Sequence, residues 1–117
     1  MINVFFEKSK DGKSLILHIE GHAGQAEVGQ DIVCASASIL AYTVAQVIKT
    51  MGEQGKLRKK PVIKLENGDA VITCKPKTAH FAEALHTYSV ANVGYQLLAH
   101  NYPDFVQLYS FGRAEKL

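Results

Sequence analysis

A stretch of 17 residues without a charged side chain, residues 32–48, restricts most strongly what this chain can fold into. Its length is at the lower limit for a membrane-spanning helix. However, much of it is alanine, serine and threonine, which insert into membranes less readily than large apolar residues. Apolar side chains recur near the helical period at Val33, Ala37, Leu40, Val44, Val47 and Met51. The pattern predicts a helix over residues 32–51, buried on most sides in the core of a soluble domain.

Segments rich in β-branched and aromatic residues predict strands before and after this helix. Residues 2–7 and 15–22 flank an Asp-Gly dipeptide, and residues 62–66 and 70–75 flank an Asn-Gly dipeptide. Both dipeptides are typical of tight hairpin turns. A last strand is expected over residues 105–111, where apolar residues alternate weakly.

A second helix is predicted over residues 78–100, before Pro103. The apolar side chains that lie mostly on one side of it are Phe81, Leu85, Tyr88, Val93, Leu97 and Leu98. The tail, residues 112–117, is polar and is expected to fray. The order β-β-α-β-β-α-β predicts an α+β fold, with two helices packed on one face of a mixed sheet. We expect a single domain over residues 1–117.

Charge and cysteine content exclude several classes of protein. The net charge is +2, from 13 basic and 11 acidic residues, which by itself does not indicate nucleic acid binding. Cys34 and Cys74 form no Cys-x-x-Cys pair, so a zinc ribbon or a thioredoxin-type motif is excluded. The N-terminus lacks the basic and apolar regions of a secretory leader. We therefore expect a reducing, cytoplasmic location and two free thiols.

The segment between the second strand and the first helix places a histidine and a cysteine where they can meet. His22 lies at the exit of the strand, and Asp31 is a good N-cap residue, which makes Cys34 the third residue of the helix. A strand-to-helix connection brings the end of the strand beside the start of the helix. The loop between them is expected to be mobile because of its glycines. The glycines of this segment are Gly21, Gly24 and Gly29.

Such a pair is suited to nucleophilic catalysis. The thiolate is the reactive form of cysteine. It is favoured by the partial positive charge of first-turn helix amides and by an imidazole that accepts the proton. The same amides can bind the oxyanion of a tetrahedral intermediate. Taken singly, each residue has a simpler explanation: Cys34 as a small buried side chain, His22 as a surface residue and Asp31 as a helix cap.

The motif resembles that of a known enzyme family. Its residues are Gly21-His22-Ala23-Gly24 and Gly29-Gln30-Asp31-Ile32-Val33-Cys34-Ala35-Ser36-Ala37-Ser38. They closely resemble the signature of the bacterial ribosomal-processing cysteine proteases, and the chain length, the element order and Gly94-Tyr95 also fit. The resemblance implies removal of the N-terminal extension of a large-subunit ribosomal protein, the twenty-seventh in the standard list. It implies cleavage after bulky aromatic and before small residues, by a homodimer that needs no metal or other cofactor.

The resemblance also implies roles for individual residues. Cys34 falls on the nucleophile and His22 on the general base. Asp31 and Ser38 match further motif positions with supporting or substrate-binding roles, as do the three glycines. Ser38 has a simpler alternative, because a hydroxyl inside a helix often bonds to the carbonyl four residues earlier.

Two other functions remain open at this point. Residues 56–60 carry four basic side chains in five, so a non-catalytic ribosome-associated or RNA-binding module is the second interpretation. The third is a redox-sensing module that forms a stable sulfenate or mixed disulfide at Cys34. A metal site formed by His18, His22 and Cys34 is disfavoured because no second cysteine is near. Cys74 alternates with apolar neighbours and is expected in the core.

Overall fold

The computed structural model describes residues 1–22, 30–110 and 113–114, with the backbone alone at residues 30, 31, 113 and 114. The described elements follow the order β-β-α-β-β-α-β-β. In chain order they are β1 (Ile2–Lys8), β2 (Leu15–Gly21), α1 (Gln30–Glu53), β3 (Val62–Glu66), β4 (Asp69–Cys74), a short 3₁₀ turn (Thr78–His80), α2 (Phe81–Asn101), β5 (Val106–Ser110) and β6 (Arg113–Ala114).

The strands form one mixed sheet in the order β3-β4-β2-β1-β5-β6. The β1–β5 pair is parallel, and the other neighbouring pairs are antiparallel. The two predicted hairpins are confirmed, and Gly12 and Gly68 in their turns have φ angles of 72° and 79°. Glycine adopts such positive angles without the steric cost that other residues meet.

The hydrophobic core lies between one face of this sheet and the two helices. Residues on this face of β1, β2 and β5 are buried at every second position, as a sheet covered on one side requires. The helices contact each other; α1 also packs on β4, and α2 on β5, β2 and β1. The predicted α+β architecture, with both helices on one face, is confirmed.

Helix α1 is a core helix in this structure. By length and composition, its part from Ile32 to Glu53 could cross a membrane, and it is the one described helix for which this holds. Its side chains on the sheet side are nevertheless buried in the core: Val33, Ala37, Ala41, Val44, Ala45, Ile48 and Met51. The helix is therefore buried on one side, and the prediction of burial on most sides was wrong, since Ile32, Ile39 and Tyr42 are 58%, 60% and 52% exposed. Val47 is likewise 37% exposed and lies off the buried stripe.

The predicted apolar face of α2 was wrong at two positions. Val93 and Leu97 are each 52% exposed. The buried stripe consists of Ala84, Tyr88, Ala91, Tyr95 and Leu98. These residues follow the spacing of a helix face, but two of them are alanines, which a search for large apolar side chains passes over.

The prediction of a frayed tail was also wrong for two residues. Arg113 and Ala114 pair with Ser110 and Tyr109 and form the short edge strand β6. Backbone pairing needs no apolar side chain, so the polar sequence gave no sign of it. The rest of the tail lies outside the described residues.

Candidate active site

A cavity of about 280 Å³ opens where the end of β2 and the β3–β4 turn meet the first half of α1. It is lined from three sides. Its lining comprises Ile2, Ile19 and Gly21 from the first two strands, His22 directly after β2, Cys34, Ala37, Ser38, Ala41 and Tyr42 from α1, and residues 65–70 from the hairpin. Both predicted catalytic residues therefore lie at one cavity, together with Ser38 and Gly21.

Cys34 reaches this cavity because of its position on α1. The buried Val33 and Ala37 anchor this part of the helix against the sheet, and Ala35 is exposed. Cys34 lies between these two faces and is partly buried. A side chain at the boundary between core and solvent keeps contact with the core while its outer part stays accessible.

The start of α1 differs from the prediction. The helix begins at Gln30, so Asp31 lies inside it rather than at its N-cap, and Cys34 is its fifth residue instead of its third. The favourable field of the helix end falls off within the first turn. Cys34 is therefore two residues farther from the helix end than the capping pattern indicated. The side chain of Asp31 and the positions of Gly24 and Gly29 lie outside what the structure describes.

His22 follows directly on β2, and its backbone is held by two neighbouring segments. The N–H of Gly21 donates to the carbonyl of Gly68 at 3.0 Å. The carbonyl of His22 accepts a hydrogen bond of 2.6 Å from the amino nitrogen of Met1. Gly21 has a φ of 92°, and a Cβ at that position would collide with the carbonyl oxygen of Met1. These contacts explain why a glycine precedes the histidine.

The imidazole of His22 rests against the β3–β4 turn. A Cβ built on Gly68 would collide with Nε2 of His22 and lie 2.6 Å from Cε1. Within residues 1–22 and 30–110, no hydrogen bond joins the imidazole to the thiol of Cys34. The two side chains thus share a cavity without direct bonding.

Ser38 lines the same cavity, one turn after Cys34. Ser36 and Thr43 donate to the carbonyls four residues earlier, at 2.7 Å and 2.6 Å. Ser38 makes no such bond among the residues that the structure describes. Its hydroxyl is therefore available to a molecule that enters the cavity, and the simpler explanation offered by the sequence does not hold.

The hairpin residues of the site were missed by the sequence analysis. The Asn-Gly turn was recognised, but not its closeness to His22. Glu20 pairs with Asp69 in the β2–β4 ladder, which brings the end of β2 beside the turn. The Asn-Gly dipeptide marks the turn in the sequence, but it points to the site only when β4 is known to pair with β2.

The remaining candidate residues lie elsewhere. His18 is on the open face of the sheet, where its Nε2 is 3.2 Å from Asp69 and its ring stacks with Phe5. Asp69 also binds Lys64, and this bond, followed by that to His18, lowers the pKa of the Asp69 carboxyl. No three His, Cys, Asp or Glu side chains among the described residues are grouped as metal ligands.

Cys74 lies in the core, as predicted, and is 1% exposed. Burial raises the pKa of its thiol, because the charged form loses its hydration. Both cysteines are free of disulfides. The two thiols therefore differ in access, with Cys34 at a cavity and Cys74 enclosed.

In the basic connector, residues 56–60, two of the four basic side chains make contacts within the chain. Lys56 pairs with Glu83 at 2.8 Å, and Arg58 donates to the carbonyl of Pro76 and to the hydroxyl of Thr78. These contacts join the connector to the start of α2. They give Lys56 and Arg58 a structural role, which weakens the RNA-binding interpretation.

Comparison with known proteins now identifies the family. A family model described as cysteine protease Prp matches residues 1–107. The chain therefore belongs to this family and is a cysteine protease, as the resemblance predicts. A search of curated proteins gives no match.

Solved structures show the same fold. The ribosomal processing protease Prp from S. aureus, solved in complex with a substrate peptide, has a TM-score of 0.67 and 23% identity, over 94% of this chain and 99% of that one. A second structure of that protease, with a covalently linked product peptide, has a TM-score of 0.65 and 24% identity, with the same coverage. The protein SMU.848 from Streptococcus mutans has a TM-score of 0.68 and 23% identity, covering 95% and 94% of the two chains.

Proposed function

We propose that this protease removes the N-terminal extension of a large-subunit ribosomal protein, the twenty-seventh in the standard list, with Cys34 as nucleophile and His22 as general base. The observation that carries the proposal is that both side chains line one cavity at the end of the sheet. The family gives the class of reaction, and the motif resemblance gives the substrate. The S. aureus structures, described as those of a ribosomal processing protease, support the same substrate class.

The reaction uses the two residues in turn. His22 takes the proton of Cys34, and the thiolate attacks the carbonyl carbon of the scissile bond. The protonated imidazole then gives its proton to the leaving amine, and water hydrolyses the thioester. Because the imidazole and the thiol are not hydrogen-bonded in the structure, the pair closes when the peptide binds, as catalytic hydrogen bonds often do.

The first turn of α1 supplies donors for the oxyanion. An α-helix leaves the amides of its first turn without internal partners. Helical side chains lean toward the N-terminus, so the thiol of Cys34 lies over the turn that precedes it. Amides of residues 30–32 therefore lie on the side toward which the thiol points, and they are the donors that we propose for the oxyanion.

The apolar walls of the cavity suit a bulky substrate residue. Ile19 and Ala70 line it from the sheet, Ala41 from α1, and Leu65 from the end of β3. Leu65 and Tyr42 remain 41% and 52% exposed, so a bound side chain can bury more of their surface. We infer that the aromatic residue before the cleaved bond binds here, while Ser38 meets the substrate backbone.

We also propose a homodimer that acts in the cytoplasm. Val90, Val93 and Leu97 lie on one exposed side of α2, a surface suited to a second copy of the chain. Two free cysteines suit a cytosolic enzyme.

Mass spectrometry of a substrate peptide tests the proposed function. The peptide carries Phe-Phe before Ala-Ser and is incubated with the wild-type chain and with the Cys34→Ala, His22→Ala and Cys74→Ala variants. Cleavage between Phe and Ala is expected with wild type and Cys74→Ala and should be lost in the other two. An intact peptide with folded wild type, or cleavage by Cys34→Ala, would remove the assignment.

A further inference from the structure

The β3–β4 turn, which the catalytic motif does not include, occupies the space beside the His22 ring. A Cβ on Gly68 would collide with Nε2 and lie 2.6 Å and 3.3 Å from Cε1 and Cδ2 of that ring. Three ring atoms therefore lie where any other residue would carry its side chain. The ring and the turn pack as closely as a glycine allows.

The backbone couples the same two segments. Gly21, the residue before His22, donates its N–H to the carbonyl of Gly68 at 3.0 Å. Glu20 and Asp69 form the preceding pair of the β2–β4 ladder. The position of the turn is thus tied to β2, which ends one residue before the histidine. Because the turn is held in this way, it limits how far the ring can move toward it, although His22 is otherwise exposed.

We propose that Gly68 is a positioning residue, whose bare Cα seats the His22 imidazole at the cavity that contains Cys34. The inference rests on the proposed roles of His22 and Cys34. Gly68 lines the cavity but has no side chain to act on the substrate, and in this account it acts through the ring that it supports. A catalytic base must be placed accurately, since a displacement of about 1 Å lowers the rate on the order of 100-fold.

Two other glycines serve as controls, because they share the positive φ angle of Gly68 but do not contact the His22 ring. Gly12 and Gly55 have φ angles of 72° and 74°, close to the 79° of Gly68, but a Cβ at either position meets nothing within 4 Å. Gly12 also lies in a hairpin turn of the same sheet, between β1 and β2. A substitution at residue 12 therefore carries the conformational cost of one at residue 68 without the collision.

The experiment compares Gly68→Ala with Gly12→Ala. Both are expected to lower the melting temperature, because both place alanine in the left-handed region, and Gly68→Ala should lower it at least as much as Gly12→Ala because it also displaces the ring. Gly68→Ala should reduce kcat for the Phe-Phe/Ala-Ser peptide by about 100-fold, while Gly12→Ala keeps the wild-type rate. Gly68→Asn and Gly12→Asn form a second pair, since asparagine tolerates positive φ while still carrying a Cβ. The asparagine pair keeps the test valid if the alanine variant unfolds.

The ring of His22 gives a direct readout. In protein labelled with ¹³C-histidine, His22 is assigned by its loss in His22→Gln, and its ring signals are compared across the four glycine variants. They are expected to move in Gly68→Ala and Gly68→Asn and to stay in place in the Gly12 variants. Unchanged ring signals in a folded Gly68 variant overturn the proposal, whatever happens to proteolysis.

Alkylation of Cys34 by iodoacetamide distinguishes an effect on the His22 ring from an effect on peptide binding, because this small reagent reacts with the thiol without a bound peptide. If Gly68 acts through His22, Gly68→Ala slows alkylation in the wild-type background and has no further effect in His22→Ala. An equal effect in both backgrounds contradicts a role through the ring. Failure of the proposed function gives a different result. In that case the wild-type protein leaves the peptide uncut, although the His22 ring signals still change in the Gly68 variants.

Discussion

At the scale of single residues, the two cysteines have opposite surroundings. Cys34 is partly buried and lines a cavity, while Cys74 is 1% exposed and packs in the core. Burial raises the pKa of Cys74, which keeps its thiol neutral at pH values where an ordinary thiol ionises. Helix α1 thus presents one cysteine to a cavity, whereas strand β4 holds the other in the core.

This contrast predicts selective alkylation. Iodoacetamide at neutral pH should modify Cys34 in the folded chain and leave Cys74 unmodified, because only the first is accessible and the second is held protonated. Peptide mapping by mass spectrometry after a short reaction identifies the modified residue, and a urea-unfolded sample, in which both react, is the control. Modification of Cys74 at a rate equal to that of Cys34 would contradict the assigned environments.

The hairpin turn shows how a residue outside the motif enters the site. Gly68 is 46 positions from His22 along the chain (68 minus 22), yet its Cα lies against the imidazole. Such a contact cannot be read from spacing along the sequence. It follows from the antiparallel pairing of β2 with β4, which brings the two segments together.

At the scale of elements, α2 holds α1 in place beneath the site. The hydroxyl of Tyr95 donates to the carbonyl of Ala37 at 2.8 Å, and that of Tyr88 donates to the carbonyl of Ile72 at 3.0 Å. Burial raises the pKa of both phenols, so both remain donors at neutral pH. Ala37 lines the cavity one turn after Cys34, whereas Ile72 lies in the middle of β4.

Removing either hydroxyl tests this connection. Tyr95→Phe and Tyr88→Phe should each lower the free energy of unfolding by about 1 kcal/mol, the usual net value of a buried hydrogen bond. Only Tyr95→Phe should also slow peptide cleavage, since only Ala37 belongs to the site. Urea unfolding and cleavage rates measure the two effects. Equal cleavage rates in the two variants would show that the Tyr95 hydrogen bond does not position the helix of Cys34.

Most elements of this fold were predictable, because each carries a local signal. The Asp-Gly and Asn-Gly turns marked both hairpins, and the uncharged segment marked α1. The start of α1 was misplaced, since Asp31 has the chemistry of a cap but lies inside the helix. The two-residue β6 was missed because its pairing depends on backbone groups.

The site was predictable in part, for the same reason. His22, Cys34, Ser38 and Gly21 belong to one local motif, and all four line the cavity. The apolar wall at Leu65 and the support at Gly68 come from a hairpin more than 40 positions away, counted from His22. Long-range pairing of strands, which the sequence pattern does not specify, decides that these residues complete the site.

At the scale of the whole molecule, α2 presents an uncovered apolar surface. Val90, Val93 and Leu97 are between 52% and 59% exposed and are spaced as one helix face. Apolar side chains clustered in this way commonly mark an interface. The surface lies on a different helix from Cys34, so association would leave the cavity free of direct involvement by these three side chains.

A charged residue introduced into this surface should therefore prevent the proposed dimer from forming. Val93→Glu and Leu97→Glu are expected to shift a dimeric chain to a monomer, because an unpaired carboxylate is costly to bury in an apolar interface. Light scattering after size-exclusion chromatography measures the mass, and Lys10→Glu, which changes an exposed residue near the β1–β2 turn, is the control. A monomeric wild type, or a dimer that withstands both changes, would contradict the proposed assembly.

The most direct test of the mechanism is the intact mass of the enzyme during turnover. The chain is mixed with the Phe-Phe/Ala-Ser peptide, quenched in acid within the first turnover and weighed, and a digest locates any adduct. We predict an acyl-enzyme that carries the N-terminal part of the peptide as a thioester on Cys34. Its formation should slow in His22→Ala. A peptide cut without any adduct on Cys34, or an adduct found on Cys74, would contradict the account.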